Sequence, residues 1–212
     1  MKKAISLVAI ALLVLTGLSL AGEHLVGGSG NSNNTIPFWG GYPAARWQTI
    51  WLQTEIGEAG KITKIEWQNY SGSAGNGGTF NQCDILLCHT SLSAVTATFA
   101  NNYGGNTPVN VYSGTFVLPP LAVNQWFTIA SPTNFTYNNT DNLLIEISWL
   151  GSTGGTTPFK TTSSGPGRVY SMADKYAQTG SVTAAYAQYA RLTITNTSIG
   201  PESLGNIRAL FH

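Results

Sequence analysis

Between Asn142 and Leu150 the chain reads N-L-L-I-E-I-S-W-L. Leu143, Ile145, Ile147 and Trp149 fall on one side of an extended backbone, with Leu144, Glu146 and Ser148 on the other. A period of two is the mark of a strand with one face on a core, and it recurs. Phe127 and Ile129 alternate with Trp126 and Thr128, and Leu192 and Ile194 with Arg191, Thr193 and Thr195. Further strands are expected over 45–54, 61–69, 82–90, 109–118, 157–163 and 167–172. Turn-forming stretches separate them, among them S-G-S-A-G-N-G-G, N-N-Y-G-G-N-T-P and S-S-G-P-G. No amphipathic helix of useful length intervenes, although 93–100 and 182–190 read equally as strand or short helix. About nine strands without helical crossovers predict an all-β, antiparallel two-sheet β-sandwich over residues 36–198. A closed barrel is the structural alternative.

One irregularity refines this reading. In G-K-I-T-K-I-E-W, Ile65 and Trp67 share a face with Thr63, while Ile62 is out of phase. A bulge near Thr63, which adds one residue to a strand, would turn Ile62 and Ile65 inward together. Gly60 just before it suits a chain turning into the sheet.

The N-terminus bears on location. Lys2 and Lys3 precede an apolar run to Leu20, and Ser19 and Ala21 are small residues placed for cleavage after Ala21. Residues 1–21 are therefore expected to be a signal peptide, removed on export, with a retained membrane anchor as the alternative. The full chain carries 10 Lys and Arg against 9 Asp and Glu. Without Lys2 and Lys3 the balance is 8 against 9, too little positive charge for nucleic-acid binding. Residues 22–35, rich in Gly, Asn and Ser, are expected to be a flexible arm.

Both cysteines fall in Q-C-D-I-L-L-C-H-T-S, at 82–91. On a strand, Cys83, Ile85, Leu87 and His89 share one face, and Asp84, Leu86, Cys88 and Thr90 the other. The cysteines would then lie about 16 Å apart along the chain, whereas a disulfide needs Cα atoms within roughly 7 Å. The same geometry separates Asp84 from His89. Cys83 is expected in the core, and Cys88 covered on the opposite face, with an intermolecular bridge as the alternative. The spacing lacks a second ligand cluster, so no metal and no cofactor are expected.

The segments E-I-G-E-A-G-K-I (55–62), I-L-L-C-H-T (85–90), V-Y-S-G (111–114), W-F-T-I (126–129), F-T-Y (135–137) and N-L-L-I-E (142–146) form an ordered series. Across roughly 37–195 the series resembles the β-sandwich modules, jelly-roll or fibronectin-type-III-like, of secreted and surface proteins of environmental bacteria. The resemblance implies a non-catalytic module without one established activity, and carries over no site residues.

Candidate sites remain to be weighed. No G-x-S-x-G elbow occurs. Glu55, Glu58, Glu66 and Glu146 could supply a glycosidase pair, but solvated positions are the expectation, and Glu146 is placed on the outer face of its strand. Asn138–Asn142 is oxygen-rich but holds one aspartate, which favours a turn over calcium. N-x-S/T sequons occur at Asn33, Asn69, Asn134, Asn138 and Asn196. The aromatics exceed what the core readily absorbs, and Trp126, Trp39, Tyr42 and Tyr103 are candidates for ligand or subunit contact. Ile199, Leu204, Ile207, Leu210 and Phe211 make the tail at 199–212 apolar enough to serve as an assembly segment along an open sheet edge. The leading expectation is a secreted, non-catalytic structural or adhesive protein of the cell surface. Its expected partners are further copies or other surface proteins. A carbohydrate-binding module gripping polysaccharide through exposed aromatics is the second reading, and a hydrolase the third.

Overall fold

The computed structural model describes residues 20–196. The expected signal peptide, save its last two residues, and the apolar tail at 199–212 lie outside the described residues. Among the described residues there are fifteen strands. The first are β1 (Leu20–Val26), β2 (Ser32–Asn34), β3 (Ala44–Trp51), β4 (Gly60–Gln68) and β5 (Gly78–Thr90). Then come β6 (Val109–Leu118), β7 (Trp126–Ala130), β8 (Thr136–Tyr137), β9 (Asn142–Leu150) and β10 (Ser152–Gly154). The last are β11 (Phe159–Thr162), β12 (Arg168–Ser171), β13 (Ser181–Thr183), β14 (Ala187–Gln188) and β15 (Ala190–Asn196). One helical turn, α1 (Gln53–Ile56), and a 3-10 helix (Phe99–Tyr103) complete the set.

All named pairings are antiparallel, and they make an all-β, sandwich-like arrangement. A five-stranded sheet runs β1-β15-β4-β7, with β8 also on β4. A seven-stranded sheet runs β10-β5-β9-β3-β12-β13, with β6 on the other side of β5, and β14-β11-β2 form a small third sheet. Nine strands were expected, and each has its counterpart. Five of the six others hold only two or three residues, too few to display a period. The sixth is β1, which lies in sequence rich in Gly, Glu and His and corrects the flexible-arm expectation. Residues 20–26 pair with β15 throughout, and 32–34 form β2.

The bulge stands where the phase of the isoleucines put it. Thr193 pairs with Lys64 and Ile194 with Ile62, so Thr63 is the extra residue. Ile62 and Ile65 are both buried. Gly60, at φ 153°, enters the strand where a Cβ would sit 2.8 Å from the Thr195 carbonyl oxygen, so the position requires glycine.

The main core lies between the sheets and is strongly aromatic. Trp47, Trp51, Trp67 and Trp149 are fully buried. Trp51 donates its indole N–H to the Gln188 carbonyl at 2.7 Å, and Trp149 to that of Pro37 at 2.9 Å. Phe38 stacks on Phe116 at 4.9 Å and meets Phe80 at 5.1 Å. A second cluster, Ile50, Cys88, Val95, Phe99, Leu144 and Val169, lies on the opposite face of the seven-stranded sheet. It is covered by residues 91–107, which include the 3-10 helix. The centre of the seven-stranded sheet, β3 and β9, is therefore buried on both faces.

Candidate functional site

The double covering changes the standing of Glu146. Expected at a solvated position, it is 3% exposed, because Phe99 and Tyr103 come down from the covering segment onto its side of β9. Its Oε1 accepts from Arg46 Nε at 3.0 Å, and its Oε2 accepts from Arg46 Nη2 (3.1 Å), Gln48 Nε2 (2.5 Å) and the Tyr103 hydroxyl (2.6 Å). Arg46 also donates to the Ala177 carbonyl at 2.9 Å and lies 4.6 Å over the Phe99 ring. Burial opposes charge on Arg46, but Glu146 outweighs it and raises the guanidinium pKa. Burial and the same carboxylate raise the Tyr103 phenol.

The network continues outward. Gln48 Oε1 accepts from Asn102 Nδ2 at 2.8 Å, and Asn102 Oδ1 accepts from the Thr96 amide at 2.7 Å. Three of the donors converge on Oε2 and one on Oε1, which ties the covering segment to the sheet. The other three glutamates have separate partners. Glu55 accepts from the Leu52 amide at 3.2 Å, Glu58 meets His24 at 2.8 Å, and Glu66 meets Arg191 at 2.8 Å.

The contact aromatics fall in three places. Tyr103 belongs to the Glu146 network. Trp39 and Tyr42 meet edge to face at 4.9 Å and 88° near the β10 end of the molecule. Trp126 stands on the outer face of the five-stranded sheet, opposite the buried Ile129 side, as its alternation implied. There Trp126 lies 5.6 Å from the Tyr189 ring and 4.6 Å under the Arg191 guanidinium. The register sets Leu25, Arg191, Glu66 and Thr128 in one row, with Gln68 and Trp126 in the next. Leu25 is 55% exposed. The result is a platform of two half-buried rings beside a paired charge, with the exposed Leu25 at its rim.

Cys83 and Cys88 are free and buried, one in each core. Burial pushes the Cys83 thiol up to about 12 and the Cys88 thiol up to about 11, so neither is a ready nucleophile. Asp84 pairs with Lys175 at 2.7 Å and accepts from Ser113 and Asn110. His89 instead packs 4.9 Å from the Phe135 ring, so the two form no acid–base pair. In the 138–142 loop, Asn138 Oδ1 accepts from the amides of Thr140 (2.9 Å) and Asp141 (3.1 Å), closing a turn. Asn69 is fully buried, and its sequon is a chance match.

Arg168 was not singled out in the sequence. It is 6% exposed, lies between the rings of Tyr186 (4.1 Å) and Tyr170 (5.0 Å), and its Nε and Nη1 have no hydrogen-bond partner among the described residues. Burial lowers its pKa. No local signal in G-R-V-Y-S distinguishes such an arginine from an exposed one on a strand. Among the described residues, no helix is long and apolar enough to cross a membrane. Comparison with family models, curated proteins and solved structures finds no match.

Proposed function

We propose that the exported chain is a non-catalytic structural or adhesive subunit of the cell surface, jelly-roll-like in its strand layout, that associates with further copies through its sheet edges. The observation that carries this reading is the chemistry of those edges. Among the described residues, β6 pairs only with β5 and β7 only with β4. β6 is ten residues long, V-N-V-Y-S-G-T-F-V-L, and β7 reads W-F-T-I-A. Neither holds a charged residue or a proline, two of the devices by which an edge resists pairing with another chain, and each is irregular in register against its one partner. β1 is a third edge, joined to the body through Gly27, at φ 77°, where a Cβ would sit 1.9 Å from the Gln188 carbonyl oxygen. The basic, then apolar, then small-residue N-terminus supports export. Light scattering and negative-stain microscopy of the mature chain test the proposal. Concentration-dependent oligomers or filaments are expected, and a monomer at every concentration refutes it.

The Trp126–Tyr189–Arg191 platform favours one second reading, the binding of polysaccharide. Flat rings stack on sugar faces, and Arg191 with Glu66 offers donors and acceptors at their rim. Retention on an insoluble polysaccharide that Trp126→Ala abolishes, without change in oligomeric state, would establish this reading.

A further inference from the structure

Three arginines lie among the described residues, and two of them meet a glutamate. In both, Nε and Nη2 point at one carboxylate: Arg46 at Glu146, at 3.0 and 3.1 Å, and Arg191 at Glu66, at 2.8 Å each. Arg168 is the third. It is 6% exposed, meets no carboxylate among the described residues, and leaves Nε and Nη1 without a hydrogen-bond partner there.

The neighbouring groups are already committed. Arg168 stands opposite Thr49 of β3 and Thr183 of β13, where the seven-stranded sheet meets the small third sheet. The Thr49 hydroxyl donates to the Gly167 carbonyl at 2.9 Å, and the Tyr186 hydroxyl to Thr161 of β11 at 2.8 Å. Burial raises the Tyr186 phenol, so that ring offers the guanidinium a π face but no negative charge. Gln188, opposite Thr161 in the register, is 1% exposed, and its Oε1 also lacks a partner. This buried polar seam therefore holds a cation, unused donors and an unused acceptor, but no anion.

Burying an unpaired charge costs more than two ring faces return. Ordered water would occupy the N–H groups but leave the charge uncompensated; an anion does both. The rings of Tyr186 (4.1 Å) and Tyr170 (5.0 Å) take the flat faces of the guanidinium. A ligand must therefore meet its edge, where pairs of N–H groups match the two oxygens of a carboxylate. The way in is narrow. Gly167 donates its N–H to the Tyr186 carbonyl at 2.7 Å, and beside that tie lie only short exposed turns, at 163–165 and 184–185. We propose that Arg168 is the binding site of a small carboxylate, of formate or acetate size, held on the edge of the guanidinium. The site is separate from the sheet edges and from the Trp126 platform, and it stands whether or not the chain self-associates.

A ligand that binds only the folded state stabilises it, so chemical denaturation of the mature chain in sodium formate reads the site. The wild-type unfolding constant should fall about tenfold by about 100 mM formate, as for a dissociation constant on the order of 10 mM. General salt effects act equally on Arg168→Met, which keeps the apolar stem and removes the charge, and there the formate-specific fall should vanish. In parallel, the formate proton resonance should show saturation transfer from the wild-type protein, displaced by acetate, a readout that needs no variant. Should Arg168→Met fail to fold, Arg168→Lys takes its place; it keeps the charge without the planar donors and should weaken formate binding about tenfold or more. Absence of saturation transfer in the wild type overturns the proposal. So does a formate dependence as large in the folded variant as in the wild type, which would place the ligand elsewhere.

Discussion

Among the arginine–glutamate pairs that join strands of this protein, two differ in what lies above them. Arg46–Glu146 bridges β3 and β9, and Arg191–Glu66 bridges β15 and β4. Both glutamates are almost covered, at 3% and 7% exposure. Glu146 is covered by backbone and rings of a separate segment, through Tyr103 and Phe99. Glu66 is held by side chains of its own sheet, Arg191 at 2.8 Å and Lys64 at 3.3 Å. Those side chains can swing into water; the covering segment cannot leave without exposing a second core. Similar burial therefore conceals different energetics, and the difference divides the molecule into a face built for stability and a face free for contact.

The strongest way to break this contrast is to remove the carboxylate that is sealed in. Glu146→Ala strands Arg46 beneath the covering segment and leaves Gln48 and Tyr103 short of an acceptor, which should cost about 3–5 kcal/mol. Chemical denaturation measures it, and a loss under 1 kcal/mol would mean that water reaches the pair. Next is Phe99→Ala, which empties the second cluster and should cost about 3 kcal/mol. The same variant sharpens the comparison chemically. Cys88 lies under that cluster and Cys83 in the other core, so a thiol reagent should label Cys88 faster in the variant and leave Cys83 unchanged. Equal labelling would indicate global loosening. Glu66→Ala comes third. Arg191 keeps Glu23 at 3.4 Å, Trp126 and solvent, so the expected cost is about 1 kcal/mol or less. A cost equal to that of Glu146→Ala would erase the distinction between the faces.

The strands were legible because nine of them are long enough to show their period. Even the bulge at Thr63 could be read, since Ile62 and Ile65 are both apolar and out of phase. Trp126 was correctly set opposite Ile129 by alternation alone. Alternation, however, says which side chains point the same way, and nothing about what covers them. That is why Glu146 was misplaced. Its cover comes from 91–107, where Val95 and Phe99 are isolated apolar residues without a period, in a stretch that read as either strand or helix. β1 was hidden for a related reason: only its pairing with β15 makes a strand of A-G-E-H-L-V. Of the four contact aromatics, Tyr103 was spent on the Glu146 network, a long-range hydrogen bond that no local pattern encodes.

The smallest effect belongs to a second latch on the covered face. Lys175, from the segment after β12, pairs with Asp84 on β5 at 2.7 Å and also donates to the Gln82 carbonyl. Burial would raise the Asp84 pKa, but hydrogen bonds from Lys175 and Ser113 and the lysine charge outweigh it, and the carboxyl is held below its usual range. A depressed folded-state pKa means that the unfolded chain binds the proton first as pH falls. Stability from this group is thus complete above the unfolded value, about 3.9, and is lost as pH drops through the folded one. Asp84→Asn should lower stability at neutral pH by about 0.5 kcal/mol, a figure already reduced for solvent screening of a part-exposed pair. The difference from wild type should shrink below about pH 4, as the wild-type carboxyl itself becomes neutral. A variant deficit that is constant from pH 7 to pH 3 would assign the loss to packing or hydrogen-bond geometry. It would leave the Arg46–Glu146 network as the electrostatic tie between the covering segments and the sheet.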